Sequence, residues 1–282
     1  MRMAKVQQEP QYYLSEINTQ VMNYKVYVMN PGEKFMYMAI LMVAGGCIGL
    51  VFYGGLFKVD GVATFMTMIS NLIVFIGVGA LAIKAFLPMI TDSLQKKRAV
   101  ILKEQFVDFA SALTNALGSG MNMNDSVNAV YMDLKSQYPE DAYIVAEVKE
   151  LVDGLNNNLS IEFLLEQFGI RSGEEDIMNF AQVFTTCYRT GGDIKSVVRR
   201  TTEMISEKVM IASEIETAIT SNKMQMNVMN VLPIVIILMM RCMSAEFANS
   251  FSSLVGVIGL TFSAGLTFAA YKMGQKIMDI KG

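Results

Sequence analysis

"TCYRTGGDIKSVVRR", residues 186–200, is the stretch on which the reading of this chain turns. Its paired glycines followed by Lys195 and Ser196 resemble a phosphate loop. Such a loop has the form GxxxxGK[ST], which surrounds the phosphates with backbone amides and brings the lysine to them. Here Ile194 precedes Lys195, no glycine stands at the required upstream position, and the preceding "IMNFAQVFTTCY" has helical rather than strand spacing. The local alternative needs only helix-terminus chemistry. One of Gly191 and Gly192 adopts a left-handed conformation and ends a helix. Asp193 then caps the next helix and complements its dipole. "GGD" is therefore the hinge of a helical hairpin, and the chain around it should be helical.

The flanking sequence carries that pattern in both directions. Apolar residues recur at helical spacing at Phe106, Phe109, Leu113 and Leu117, then at Val127, Val130, Tyr131 and Leu134. Further stripes follow at Ile144, Val148, Leu151 and Leu155, at Ile161, Leu164, Leu165 and Phe168, and at Ile177, Phe180, Phe184 and Cys187. The longest runs through Ile194, Val198, Thr201, Ile205, Ala212, Ile215 and Ile219, interrupted by Lys208. No segment shows sustained period-two alternation. Residues 88–225 thus predict a six-helix domain. Gly118 and Gly120 end its first helix and Asn124 or Asp125 caps the second; Pro139, Glu140 and Asp141 form the first turn of the third. Gly154 in "DGLNNNLS" closes the third helix and Ser160 caps the fourth.

Outside this region the chain is apolar. Hydrophobic residues make up 52% of it and charged residues 17%, a balance that calls for membrane spans. Four segments qualify: Met36–Phe57, Val62–Leu87, Met226–Met240 and Ser253–Tyr271. About 20 apolar residues rising about 1.5 Å each cross a hydrocarbon core of about 30 Å. The third segment is short but continues the helix that begins at the hinge, and Pro233 inside it should bend it. The expected fold is an all-α membrane protein, with the six-helix bundle between the second and third of four spans. A polar leader of residues 1–35 precedes the first span, which is longer than a cleaved signal core. Its apolar residues Tyr13, Ile17, Val21, Tyr24 and Val28 have helical spacing, for a helix on the membrane surface or on the chain's own soluble domain.

Lysine and arginine set the orientation. The leader has Arg2, Lys5, Lys25 and Lys34; Lys96, Lys97, Arg98 and Lys103 follow the second span; Lys272, Lys276 and Lys281 lie in the tail. The two short connections hold only Lys58 and Arg241. This excess places both termini and the bundle in the cytoplasm of a multi-pass membrane protein. Gly45 with Gly49, and Gly256 with Gly259, put small residues where spans can approach closely.

Composition also excludes chemistry. The chain has no histidine, so it has no imidazole base, Ser-His or Cys-His pair, or His-ligated metal. Cys47, Cys187 and Cys242 lie too far apart for a CxxC site and suit apolar packing. A net charge of −3 gives no basis for nucleic-acid binding. The carboxylates Asp92, Glu104 and Asp108 near the membrane lack any companion that would define a reaction. No catalytic, cofactor or metal residue is assigned.

The order of motifs resembles a known family. "SGMNMNDSV", then "VKELVDGL" with "SIEFLLEQFGI", then "FAQVFTTCYRTGGDIKSVVRRTTEMISEK" running into a span with "VLPIVI", is similar to the F domain of type II secretion systems, the GspF/PilC-like inner-membrane platform proteins. A single such domain with two spans on each side more closely resembles the TadB/TadC branch of Flp (Tad) pilus assembly. The resemblance covers roughly residues 36–282, and full-length platform proteins carry two such domains where this chain shows one. It implies a non-enzymatic scaffold in the bacterial inner membrane. Its partners would be a hexameric secretion ATPase, a second F-domain subunit or a second copy, pilin or pseudopilin subunits, and membrane lipid.

Residues 88–225 carry 20 Asp and Glu against 13 Lys and Arg, an acidic balance suited to a basic partner surface. The candidate contacts are Glu147, Glu150 and Asp153 on the third helix, and Glu203 and Glu207 on the sixth. Glu174, Glu175 and Asp176 are also expected to be exposed, and Arg199–Glu203 to form a local pair. The rival reading is a small transporter or channel component, which would need a polar line through several spans. Asn71 with Lys84 falls short of one.

Overall fold

The computed structural model describes residues 10–56, 64–243, 250–251 and 253–278. Among the described residues the chain forms a two-stranded hairpin and eight helices. The hairpin pairs β1 (Tyr12–Leu14) antiparallel with β2 (Gln20–Met22). The helices are α1 (Pro31–Tyr53), α2 (Phe65–Gly118), α3 (Met123–Gln137), α4 (Tyr143–Asn156), α5 (Ile161–Ser172), α6 (Glu175–Thr190), α7 (Ile194–Met243) and α8 (Leu254–Met278). This is an all-α membrane protein: α1, α2, α7 and α8 are long and apolar enough to cross a membrane. Expectations that touch Arg2, Lys5, Phe57, Lys58, Val62 and Lys281 lie outside the described residues.

Two compact units emerge. One joins the chain up to Val28 with Thr91–Ile211; the other joins Met29–Ile90 with the chain from Ala212. The first unit holds six helical segments, but only α3 to α6 are separate helices. Its first segment is the end of the 54-residue α2, which continues through Pro88. Proline prevents one backbone hydrogen bond without stopping a helix that is otherwise well supported. Its last segment is the start of the 50-residue α7, which runs on through Pro233 as the sequence predicts.

In the first unit α3 packs on α4, α4 on α5, and α5 on α6. Phe106 of α2 lies at the centre, fully buried, with ring centroids 5.6 Å from Phe109, 5.9 Å from Phe168 and 5.2 Å from Phe180. Leu113, Leu134, Ile144, Leu151 and Leu165 are buried around it, as their spacing requires.

Several helix ends differ from expectation. Asn122, not Asn124 or Asp125, caps α3 by accepting the Asp125 N–H at 2.9 Å, because Asp125 already lies in the first turn. Pro139, Glu140 and Asp141 form a turn ahead of α4, whose first helical residue is Tyr143. Ser160 caps α5 as predicted, accepting from the Phe163 N–H at 3.3 Å. Gly118 is the last residue of α2, and Gly120 has φ 87° in the turn that follows. Gly154 does not end α4: it lies inside the helix, where a Cβ would stand 2.6 Å from Leu164 Cδ2. The left-handed residue after α4 is Asn158, with φ 62°.

The leader is the larger correction. It forms a hairpin with Asn18 at φ 59° in its turn, not a helix, although it does pack on the first unit. In β1 Tyr13 is half-buried between exposed Tyr12 and Leu14, as in a strand lying on a surface. Val21 and Tyr24 are buried; Val28 is exposed.

In the second unit a Cβ on Gly45 would meet Ala82 Cβ at 2.6 Å, and one on Gly49 would meet Val78 Cβ at 2.9 Å. The close approach expected of these glycines is therefore made by α1 against α2. Gly259 meets nothing within 4 Å. Cys47 and Cys242 are exposed on spanning helices and Cys187 is half-buried, so apolar packing within the chain does not hold for the first two.

Candidate functional site

The α6–α7 hinge is built as its residues dictate. Gly191 has φ 69° and sends its N–H back to the Cys187 carbonyl, and the Gly192 N–H reaches the same oxygen at 3.0 Å. Asp193 Oδ1 accepts the Ser196 N–H at 3.3 Å and so caps α7. Of the two glycines only Gly191 is left-handed. Gly191→Val should cost about 1–2 kcal/mol, whereas Gly191→Asn should cost a few tenths, since asparagine tolerates this conformation. Chemical unfolding of the full chain followed by circular dichroism reads the difference. Equal losses in the two variants would remove the conformational explanation.

Beyond the hinge, Glu203 and Glu207 are exposed on α7, and Arg199 pairs with Glu203 at 3.9 Å. Lys208 breaks the apolar stripe for a reason: its Nζ donates to Asp176 Oδ1 at 2.7 Å. Lys103 of α2 takes the other oxygen at 2.5 Å. Asp176, predicted as exposed, is buried at the start of α6 between these two lysines. Burial alone would raise its carboxyl, but the hydrogen bonds from Lys103 and Lys208 outweigh it and hold Asp176 below the usual carboxylate range. Glu175 stays exposed, and burial pushes the half-buried Glu174 up.

The acidic face expected on α4 is divided. Glu147 is 3% exposed and receives Arg171 Nη2 at 2.7 Å, Nη1 at 3.1 Å and the Tyr24 hydroxyl at 3.0 Å. It is not available to a partner in this conformation, which corrects its assignment as an exposed contact. Burial pushes its carboxyl above the usual range, against the opposing pull of Arg171 and Tyr24. Burial and the Glu147 carboxylate likewise push the Tyr24 phenol up. Glu150 is half-buried and accepts from Thr19 Oγ1 at 2.5 Å; Asp153 is half-buried as well.

The sequence holds one signal of this network, although it does not say which residues pair. Glu147 stands three residues after Ile144 and Arg171 three after Phe168, so each interrupts the apolar stripe of its own helix. Opposite charges on the buried stripes of neighbouring helices are the mark of a buried pair.

Of the carboxylates Asp92, Glu104 and Asp108, Asp108 serves as an anchor. Tyr138 donates a short hydrogen bond to Asp108, and burial together with that bond pushes the phenol up to about 12. The neighbouring Gln105 accepts the Ile144 N–H at 3.1 Å and so positions the start of α4.

In the second unit the end of α1 meets a residue from each other span. Gly55 N–H donates to Asn71 Oδ1 of α2 at 2.9 Å. Arg241 of α7 donates to the Gly54 and Phe52 carbonyls at 2.7 and 2.8 Å, and Tyr53 shares a hydrogen bond of 3.0 Å with Thr261 of α8. Asn71 is thus a backbone anchor rather than part of a polar pathway. Arg241 satisfies carbonyls that a helix end leaves without partners.

No curated protein and no solved structure gives a significant match to the chain. The resemblance read over residues 36–282 narrows to the end of α2, α3–α6 and α7 as far as Met240: residues 109–240 match the family model described as Type II secretion system (T2SS), protein F.

Proposed function

We propose that the chain is a non-enzymatic platform protein of the bacterial inner membrane, serving a type II secretion machine or a type IV-like pilus of the Tad/Flp kind. In this reading it couples a cytoplasmic secretion ATPase to the insertion of pilin subunits into a filament. The observation that carries it is the passage of two helices from family-matched domain to membrane. α2 and α7 each run without interruption between an apolar span and the bundle within residues 109–240. A helix without a break transmits a displacement along its axis, which suits a part that receives work on one side and delivers it in the bilayer. The lysine and arginine distribution supports placing the bundle and both termini in the cytoplasm.

Glu150, Asp153, Glu203 and Glu207 remain the candidate partner contacts. They belong to an acidic domain suited to steering a basic surface of an ATPase or of a second F-domain subunit. Native-membrane co-purification with mild crosslinking and mass spectrometry tests the proposal. The expected result is recovery of a secretion-type ATPase together with an F-domain subunit. Recovery of neither, from cells assembling the machine, would refute it and favour a stand-alone membrane protein.

A further inference from the structure

The leader occupies a defined place in the first unit. Residues 10–28 lie across three helices: Thr19 reaches Glu150 of α4, Tyr24 reaches Glu147 of α4, and the Tyr24 N–H donates to the Arg171 carbonyl of α5 at 3.0 Å. On α2, the Gln95 side chain donates to the Lys25 carbonyl, and Arg98 lies 4.4 Å over the Tyr27 ring. All of these residues lie outside the family-matched region except Glu147, Glu150 and Arg171. The leader therefore covers part of the family-matched surface with sequence from beyond it.

Three observations indicate that this cover is held weakly. A hairpin of two three-residue strands has little stability of its own. A cavity of about 360 Å³ remains between it and α5, lined by Leu14, Val21, Leu159, Phe163 and Ile170 among others, so the fit is incomplete. Docking also encloses Arg98, 8% exposed, whose Nε and Nη1 have no hydrogen-bond partner among the described residues. Burying guanidinium N–H groups without acceptors opposes docking, and the cost is relieved when the leader lifts. Against this stand the buried Val21 and Tyr24 side chains and two bonds to carboxylates, Thr19 on Glu150 and Tyr24 on Glu147, of which only the Tyr24 bond is buried.

We infer that residues 10–28 are a reversible latch, closed by Tyr24 on the Glu147–Arg171 pair, which masks the Glu147–Glu150 face of α4 and uncovers it on opening. That the uncovered face receives a partner rests on the proposed platform function; the latch itself does not. Opening is local, so α4 and α5 stay folded while the leader detaches.

Hydrogen exchange of the full chain in lipid nanodiscs, read by mass spectrometry, tests the latch with no partner present. Amides of residues 20–28 should exchange at least tenfold faster than those around Val148 and Leu151. Tyr24→Phe keeps the ring but loses the bond to a charged group, and should speed leader exchange about tenfold to a hundredfold with the α4 rate unchanged. Equal exchange in leader and α4 of the wild type would overturn the latch, as would a leader rate unmoved by Tyr24→Phe. If that variant does not fold, the wild-type comparison decides alone. A latch that opens beside a failed co-purification would leave the latch standing and refute only the platform reading.

Discussion

Glu147→Ala should destabilise the first unit by about 3–5 kcal/mol, because it leaves the Arg171 guanidinium buried without its counter-charge. Arg171 is 8% exposed, and Glu147 is its only ion-pair partner among the described residues. At about 2–4 °C per kcal/mol for a domain of this size, the thermal midpoint should fall by roughly 10 °C. The loss measures an orphaned charge rather than the worth of the pair. Replacing all three polar members with apolar ones of similar shape, as Glu147→Leu with Arg171→Met and Tyr24→Phe, should recover most of it. Circular dichroism melts of the full chain in detergent separate the cases. A single variant within 1 kcal/mol of wild type would mean that water already reaches the pair.

That pair also shows where sequence reasoning stops. Periodicity reports which face of a helix is apolar, and it placed Ile144, Val148 and Leu151 correctly in the core. The same geometry carries Glu147 inward with them, but a charged residue read one at a time is assigned to solvent. Only the spatial match with Arg171, on another helix, reverses that assignment. The hinge was legible because its chemistry is local: Gly191 and Asp193 act within four residues of where they stand. The spans were legible because apolar length is a property of the segment alone. The leader was not, since Tyr13, Ile17, Val21 and Tyr24 fit a helical period by coincidence. The Asn18 turn and the surface of α4 and α5 decide its strands, and a three-residue strand is too short to display alternation. The cap of α3 was misplaced by two or three residues because "NMND" offers three capping side chains within four residues. α2 runs through Pro88, where the local signal of a proline is for a kink or a break.

Phe106→Ala should cost about 3–5 kcal/mol, the range for removing a fully buried ring from a packed core. The position is unusual in what it joins: Phe106 belongs to α2, Phe168 to α5 and Phe180 to α6, and their rings meet with centroids 5.2–5.9 Å apart. The Phe180 contact is edge-to-face, a geometry that contributes about 0.5–1.5 kcal/mol beyond area burial. Phe106→Met should therefore cost less than alanine, since methionine refills the volume but loses the ring contacts. Met132→Ala on α3, 67% exposed, should move stability by less than about 0.5 kcal/mol. Urea unfolding of the three variants orders them, and a methionine variant as damaging as alanine would show that ring geometry rather than volume holds this centre. The consequence for function follows from α2 itself. In the proposed platform role, α2 also supplies the second span, so a displacement arriving at α5 or α6 would pass into that helix through this ring cluster and the Lys103–Asp176 pair beside it. If the proposed platform function holds, Phe106→Met, which retains the fold and loosens that connection, should reduce filament assembly while leaving co-purification with partners intact. Loss of both together would assign the defect to folding, and loss of neither would place the transmitting contacts on α7.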